Sequence, residues 1–326
     1  MTIYYAIVDL RSVYCQVIPI TNIFHFLEDY SDYVRKIILK PDQAIVPYKL
    51  YKCSELILGK AYKLFNINTI KYLINLGADF LIDDNYLVRL ASRRGYVEIV
   101  KLLITLGADI LANDNYAIKY ASDNGHLEVV KLLIEAGADI TAGNNYAIKY
   151  ASRYGRIEIV KLLIELGGNV TSDDNYALVS ASENNHIDMV KLLVANGADI
   201  HTNTNYPLQI AIKRGHIDMV KLLIMYGDNV SDGNNYAIQE ASLYGHLEIV
   251  KLLIAHGADV TANNNNAIQG ASLYGRLEIV KLLIAHGADI TANNNNAIMC
   301  ASENGFLEVV KLLIMHGADV TAKTIT

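Results

Sequence analysis

From Asn85 onward, apolar and polar positions return in one fixed order every 30 residues. The lysine ahead of a Leu-Leu pair marks the step at Lys101, Lys131, Lys161, Lys191, Lys221, Lys251, Lys281 and Lys311 (131 − 101 = 30), without slippage. A fixed period in this range means stacked supersecondary units. The copy at 115–144 shows what one unit encodes. Asn115 is placed to cap a helix start. Tyr116–Asn124 reads as a short helix with Ala117, Ile118 and Ala121 on one face. Gly125 ends it, since glycine accepts a positive φ; Asn185 takes that place in one copy, and asparagine is the next best residue there. A second helix is predicted from about Leu127 to Ala136, with Leu127, Val130, Leu133 and Ile134 at helical spacing. Glu128 and Lys131 fall on its solvent side. Gly137 stops it, and residues 138–142 turn into the next copy. Helices of about nine residues do not persist alone in water, so each must bury its face against its neighbours, and the chain is expected to be a solenoid with one continuous core.

Eight close copies start at Asn85, Asn115, Asn145, Asn175, Asn205, Asn235, Asn265 and Asn295. Residues 55–84 read as a degenerate ninth unit, in which Ala61, Lys71 and Gly77-Ala78-Asp79 align with Ala91, Lys101 and Gly107-Ala108-Asp109, while Phe65 stands where Gly95 is expected. Residues 1–54 do not repeat. Strand-like alternation at Tyr14–Ile20, Arg35–Leu39 and Ala44–Tyr51, broken by Pro19, Pro41 and Pro47, surrounds one expected short helix near Ile23–Tyr30. A segment of this size hardly stands alone; it is expected to cover the open end of the stack.

The motif Ala-Ser-x-x-Gly-His-Leu-Glu-Val-Val-Lys-Leu-Leu-Ile-x-x-Gly-Ala-Asp-Ile, read at 121–140, closely resembles the second half of the ankyrin repeat. The resemblance covers about 55–324 and implies an all-α, ankyrin-type helix-turn-helix solenoid of about nine units behind a small strand-containing N-terminal cap segment. The family's usual period is 33 residues with a Thr-Pro-Leu-His start; here that start reads Tyr-Ala-Ile-Lys at 146–149 and Tyr-Pro-Leu-Gln at 206–209. The three missing residues fall where the family carries its β-hairpin finger, so the fingers should be stubby or lost. That shifts recognition to the concave face made by first helices. The Asn-, Ile-, Tyr- and Lys-rich 30-residue style resembles the ankyrin proteins of giant DNA viruses of amoebae.

The formal charge is −6 and hydrophobic content 52%, yet no apolar run approaches the ~18 residues of a membrane span. The N-terminus lacks the basic start and long apolar stretch of a secretion signal. Three widely spaced cysteines, Cys15, Cys53 and Cys300, suit free thiols and a cytoplasmic setting. No phosphate loop, zinc-protease motif or nucleophile elbow occurs, so no enzyme and no cofactor are expected. His126, His186, His216 and His246 follow the mid-unit residue where, by the resemblance, a structural histidine ties units together. His256, His286 and His316 form a ladder too widely spaced for one zinc ion. The Asp/Asn runs at 83–85, 173–175 and 263–266 lack calcium-loop spacing and read as turns and caps.

Positions that differ between copies stand out against this constant frame. They are the residue two after Ala117 (Arg89, Lys119, Lys149, then Val179, Gln209, Gln239, Gln269, Met299) and the pair before the mid-unit glycine. On the expected concave face they place a basic third at Arg89, Arg93, Arg94, Lys119, Lys149 and Arg153, beside Tyr154, and an apolar third at Leu243, Tyr244, Leu273 and Tyr274. Arginine and tyrosine are enriched at interface hot spots. The resulting expectation is a monomeric, non-catalytic scaffold binding another protein, a host protein if the chain is viral. Nucleic-acid binding through the basic stripe is the rival, opposed by the negative net charge and the lack of a recognised motif. A ubiquitin-ligase adaptor is a third reading, for which no F-box-like segment is seen at either terminus.

Overall fold

A computed structural model describes residues 4–8, 14–24, 33–38, 50–52, 57–63 and 65–319. The chain divides into two compact bodies, Met1–Asn169 and Val170–Thr326.

The first body opens with a five-stranded antiparallel sheet. Strands β1 (Tyr4–Val8), β2 (Tyr14–Pro19), β3 (Tyr33–Ile38), β4 (Leu50–Lys52) and β5 (Ile57–Lys63) lie in the order β4-β2-β1-β3-β5. The register pairs Tyr5 with both Ile18 and Lys36, and a bulge interrupts β3 against β5 between Arg35 and Ile37. A 3-10 turn at Ile20–Asn22 follows β2, and Ile18, Ile23 and Phe24 are fully buried. The helix expected near Ile23–Tyr30 lies almost wholly outside the described residues, as does Cys53. Residues 57–63, expected as the first helix of a degenerate repeat, are instead the edge strand β5. Their sequence, Ile-Leu-Gly-Lys-Ala-Tyr-Lys, carries a mid-segment glycine that weakens a helix, and β3 offers a free edge for pairing. Phe65 replaces the turn glycine without needing a left-handed backbone. It stacks on Tyr96, with ring centroids 4.8 Å apart.

Among the described residues seven helices complete this body: α1 (Ile67–Asn75), α2 (Ile82–Arg93), α3 (Val97–Thr105), α4 (Ala112–Asn124), α5 (Leu127–Glu135), α6 (Ala142–Arg153) and α7 (Ile157–Glu165). The second body holds α8 (Ser172–Glu183), α9 (Ile187–Ala195), α10 (Thr202–Arg214), α11 (Ile217–Met225), α12 (Asp232–Tyr244), α13 (Leu247–Ala255), α14 (Ala262–Leu273), α15 (Leu277–Ala285), α16 (Ala292–Glu303) and α17 (Leu307–Met315). First helices pack on first helices of adjacent repeats (α2 on α4, α4 on α6, α12 on α14), and each packs on its own second helix. The core of one repeat is Ala117, Ile118, Ala121, Val129, Val130 and Leu133, all fully buried. Val129 belongs to it although the expected stripe omitted it, while Leu127 and Ile134 are only half-buried. The solvent pair Glu128–Lys131 closes to 2.8 Å and recurs in later repeats. Such half-exposed pairs contribute little, about 0.3–0.5 kcal/mol each.

The Asp/Asn runs are not ordinary caps. Asn263, Asn264 and Asn265 have φ/ψ of 52/52°, 55/41° and 62/36°, one turn of left-handed helix. Residues 83–85, 113–115, 143–145, 173–175 and 293–295 do the same. Left-handed backbone costs most L-residues about 1–2 kcal/mol each, and asparagine, aspartate and glycine least, which accounts for these residue types. Asn115 does not cap the helix that follows. Its backbone N–H donates to Leu111 O at 2.9 Å, and its side-chain Oδ1 accepts from Asp139 N, also at 2.9 Å. The same side-chain bond joins Asn85 to Asp109, Asn145 to Asn169, Asn175 to Asp199, Asn235 to Asp259, Asn265 to Asp289 and Asn295 to Asp319, at 2.7–3.0 Å. In residues 55–84 no asparagine occupies the corresponding place. There Asp79 N donates to Thr21 O at 3.1 Å, so the sheet segment supplies the missing acceptor.

Adjacent repeats are tied by the residue after the mid-unit position, as the family resemblance implies for its histidines. Nε2 of His126, His216 and His246 lies 3.0, 2.9 and 3.2 Å from the carbonyl oxygens of Arg93, Glu183 and Lys213. Arg156 does the same job through Nε to Asp123 O at 3.2 Å. The ring or guanidinium rests on the preceding repeat's glycine: a Cβ on Gly215 would stand 2.7 Å from His246 Cε1. Gly215 is thus fixed twice, by its φ of +77° and by the side chain that covers it. Among the eight close copies Asn185, φ +58°, is the one non-glycine at this position.

Replacing Asn265 by Ala is expected to lower stability by roughly 2–3 kcal/mol, about 1–2 from the left-handed backbone and about 1 from the lost hydrogen bond. Asn265→Gly should recover the backbone part and lose only about 1. Urea denaturation followed by circular dichroism checks both; equal losses would separate the residue type from the backbone conformation.

Candidate partner-binding surface

The side chains expected to meet a partner divide, once placed, into frame and surface. The position two after the inner alanine belongs to the frame. In the first body, Arg89 donates Nε to Asp84 O at 3.0 Å and Nη2 to Asp83 O at 2.7 Å, satisfying carbonyls of the left-handed turn before it. Its guanidinium lies 5.5 Å from the ring centre of Tyr86 and 5.2 Å from that of Tyr116. Lys119, 8% exposed, pairs with the Asp114 carboxylate and sits 5.5 Å from the Tyr146 ring centre. A Cβ on Gly143 would stand 2.7 Å from its Nζ, so a glycine opens the left-handed turn there. Lys149 is buried likewise. In the second body, Gln239 Oε1 accepts from Asn266 Nδ2 at 2.8 Å, and Gln269 Oε1 accepts from Asn296 Nδ2 at 2.7 Å. Gln269 also donates to Asn264 O. The residue type varies along this position. Arg89, Lys119, Gln239 and Gln269 bond groups near the left-handed turns, whereas Val179 and Met299, at the same position, have no such group. Buried carbonyls and amides near the left-handed turn need a partner, and an arginine, lysine or glutamine reaches them.

The pair before the glycine does reach the surface. In the first body, Arg93 and Arg94 are half-buried, Arg94 lies over the Phe65 ring at 4.6 Å, and Arg153 lies over the Tyr154 ring at 5.8 Å. Tyr154 is 46% exposed. Asp123 stands among these cations. Burial pushes its carboxyl up, against the pull of Arg156, Arg153 and Arg93. The basic third is therefore narrower than its sequence: Arg89 and Lys119 hold the frame, Lys149 is buried, and an acid faces Arg93 and Arg153.

An aromatic file runs beside them that the choice of variable positions passed over. Tyr116 and Tyr120 stack at 4.0 Å, Tyr120 meets Tyr146 at 5.9 Å, and Tyr146 stacks on Tyr150 at 4.0 Å. Burial raises the phenols of Tyr116 and Tyr146 above their ordinary range. Its signal was present in the repeats, because the position reads Leu90, Tyr120, Tyr150, Ser180, Ile210, Glu240, Gly270 and Cys300, as variable as any.

In the second body, Tyr244, Leu273 and Tyr274 are 38%, 36% and 50% exposed at the ends of α12 and α14, which pack side by side. Leu243 is half-buried and leans over Gly270, whose added Cβ would stand 3.3 Å from Leu243 Cδ1. Lys213 lies over the Tyr244 ring at 5.5 Å, and the hydrogen bond to that phenol raises its ammonium above the ordinary range. His256, His286 and His316 each bond, through Nδ1, a carbonyl of their own helix at 2.8–2.9 Å. Among the described residues no group of three metal-ligating side chains could hold a metal ion, and no helix is long and apolar enough to cross a membrane. Cys300 is a free, half-buried thiol.

Comparison with known families now bears on these stacked pairs. The model for ankyrin repeats in sets of three copies matches residues 57–144, 142–204, 178–264 and 261–324. The chain belongs to the ankyrin repeat family. An uncharacterized protein of Acanthamoeba polyphaga mimivirus is 34% identical over 83 residues, 24% of this chain and 59% of that protein. The chain thus spans about three-fifths of that relative's length. Ankyrin repeats generally mediate protein–protein interactions and typically act as non-catalytic scaffolds, so the exposed ends of the first helices are the surface to examine. In this ankyrin chain the family's finger is replaced by the three-residue left-handed turn.

Gln269→Ala is expected to cost about 1–2 kcal/mol, because it strips partners from Asn264 O and the Asn296 amide. Tyr274→Ala, exposed and outside the frame, should stay within about 0.5 kcal/mol of the parent. Chemical denaturation of the two variants side by side checks the division.

Proposed function

We propose that this ankyrin chain is a protein-binding scaffold of viral origin that captures a host protein on the exposed ends of its first helices. The observation that carries the reading is the patch of Tyr244, Leu273 and Tyr274. These side chains are large, apolar and solvent-facing, at the one position pair that varies between copies and holds no frame contact in common. An exposed Leu/Tyr cluster rimmed by polar groups suits a partner surface. Its aromatic members supply rigid area at low entropic cost. The half-buried Leu243 lies next to Tyr244 in the chain and over Gly270. In the first body, Arg93, Arg94, Arg153 and Tyr154 form a second contact region, mixed in charge because of Asp123; such a region favours orientation over raw affinity. The viral assignment rests on the partial similarity to the mimivirus protein and on the 30-residue repeat style.

The nucleic-acid alternative loses ground here, since three of the six basic side chains behind it are occupied inside the frame. A steep dependence of duplex binding on salt concentration would restore it.

Tyr244→Ala combined with Tyr274→Ala is expected to weaken partner capture from amoebal lysate at least about tenfold, roughly 1.4 kcal/mol, with helicity unchanged. Quantitative pull-down with wild type and double variant checks this. Equal capture by both would move the site to the first body.

A further inference from the structure

Two departures from the repeat consensus meet in space in the second body. The Gly-Ala-Asp turn reads Gly227-Asp228-Asn229, so Asp228 stands where Ala198, Ala258 and Ala288 are buried. One repeat earlier, His201 stands where Thr261 and Thr291 occur. The Asp228 side chain is wholly buried, and its nearest cationic group is His201 Nδ1, 3.1 Å from Oδ1. Neither carboxylate oxygen has a hydrogen bond of good geometry. The reason is competition. His201 Nδ1 also lies 2.9 Å from Asn205 Oδ1. The Asn205 amide is oriented by its donation to Asp232 Oδ2 at 2.6 Å, so its oxygen must face the imidazole. One ring N–H thus stands before two acceptors. Asp232, on the near end of α12, already accepts from both Asn205 and Asn229 and offers Asp228 only its charge.

We propose that the Asp228–His201 contact is a proton-linked joint between adjacent repeats, tight when Asp228 carries a proton and loosened when it ionises. A proton on Asp228 removes a buried charge and adds the donor that the cluster lacks. The groups facing it agree in direction: burial pushes the carboxyl up to about 7, Asp232 and Asp199 push the same way, and His201 pulls against them. A carboxyl in unfolded chain titrates near 3.9. The closed joint therefore holds more protons than the opened one between about pH 4 and pH 7. Its stability is fully present at the acid end of that window and falls as pH rises through 7. An ordinary repeat, with alanine in this place, has no such dependence.

Hydrogen exchange of the full chain tests the proposal, with rates corrected for intrinsic chemistry. In wild type, amides at 198–205 and 226–232 should lose protection by about tenfold or more between pH 5.5 and pH 7.5, as one-proton linkage requires. Amides of α15 serve as the internal reference. Asp228→Asn, which keeps the shape and removes the titration, should flatten the profile to less than about twofold. Asp228→Ala, the residue of neighbouring repeats, should raise Tm at pH 8 and not at pH 5. Protection at these amides that does not vary with pH in wild type overturns the joint. So does a slope that survives in Asp228→Asn, which would place the titrating group elsewhere.

Discussion

Seven of the eight close copies, all but the one at 205–234, where the Asn205 side chain faces His201 and Asp232 instead, share one hydrogen bond, from the backbone N–H of the Gly-Ala-Asp turn to the asparagine side chain 24 residues earlier. That asparagine sits at the end of a left-handed turn that most residue types could not enter without cost. Two demands therefore fall on one position: a positive φ and a short acceptor side chain aimed at the end of the second helix. Asparagine meets both. The bond draws the start of the first helix and the end of the second together, which lets two short helices act as one unit. Neither is long enough to persist alone.

The shortened period follows from the same device. A longer ankyrin unit spends its extra residues on a finger; here the chain reverses in three left-handed residues and enters the next first helix at once. The carbonyls of that turn must then find donors. Arg89 and Gln269 supply them in two copies, with different side chains at the same position. Variation between copies is therefore not by itself a mark of a binding surface. It marks one only where the side chain is also exposed and the frame takes nothing from it in common, as at Tyr154 and Tyr274.

Asp228 illustrates the opposite case, a frame position altered to a residue the frame does not accommodate when charged. Its partner change at His201 lies in the preceding copy, so the two substitutions are 27 residues apart in sequence (228 − 201 = 27) and in contact in space. A carboxylate there weakens its own repeat, which is tolerable in a stack because neighbouring interfaces carry the rest. What remains is a joint whose strength follows pH.

The amino-acid sequence by itself determined the period, the pairing of short helices and the left-handed place held by Gly215 or Asn185. These are properties of local backbone preference and of a pattern repeated often enough to check itself. Strand formation before the first complete repeat was legible as alternation at 14–20 and 35–39. Tertiary structure decided the rest. Residues 57–63 became a strand because a sheet edge was available to pair with them, and no local preference records a neighbour's free edge. Lys119 turned inward and Tyr274 outward because the direction of a side chain on a first helix depends on which carboxylates, carbonyls and rings stand around it. Asp228 and His201 acquired their shared chemistry only on contact, since burial and a missing donor are properties of the packed joint and not of either residue.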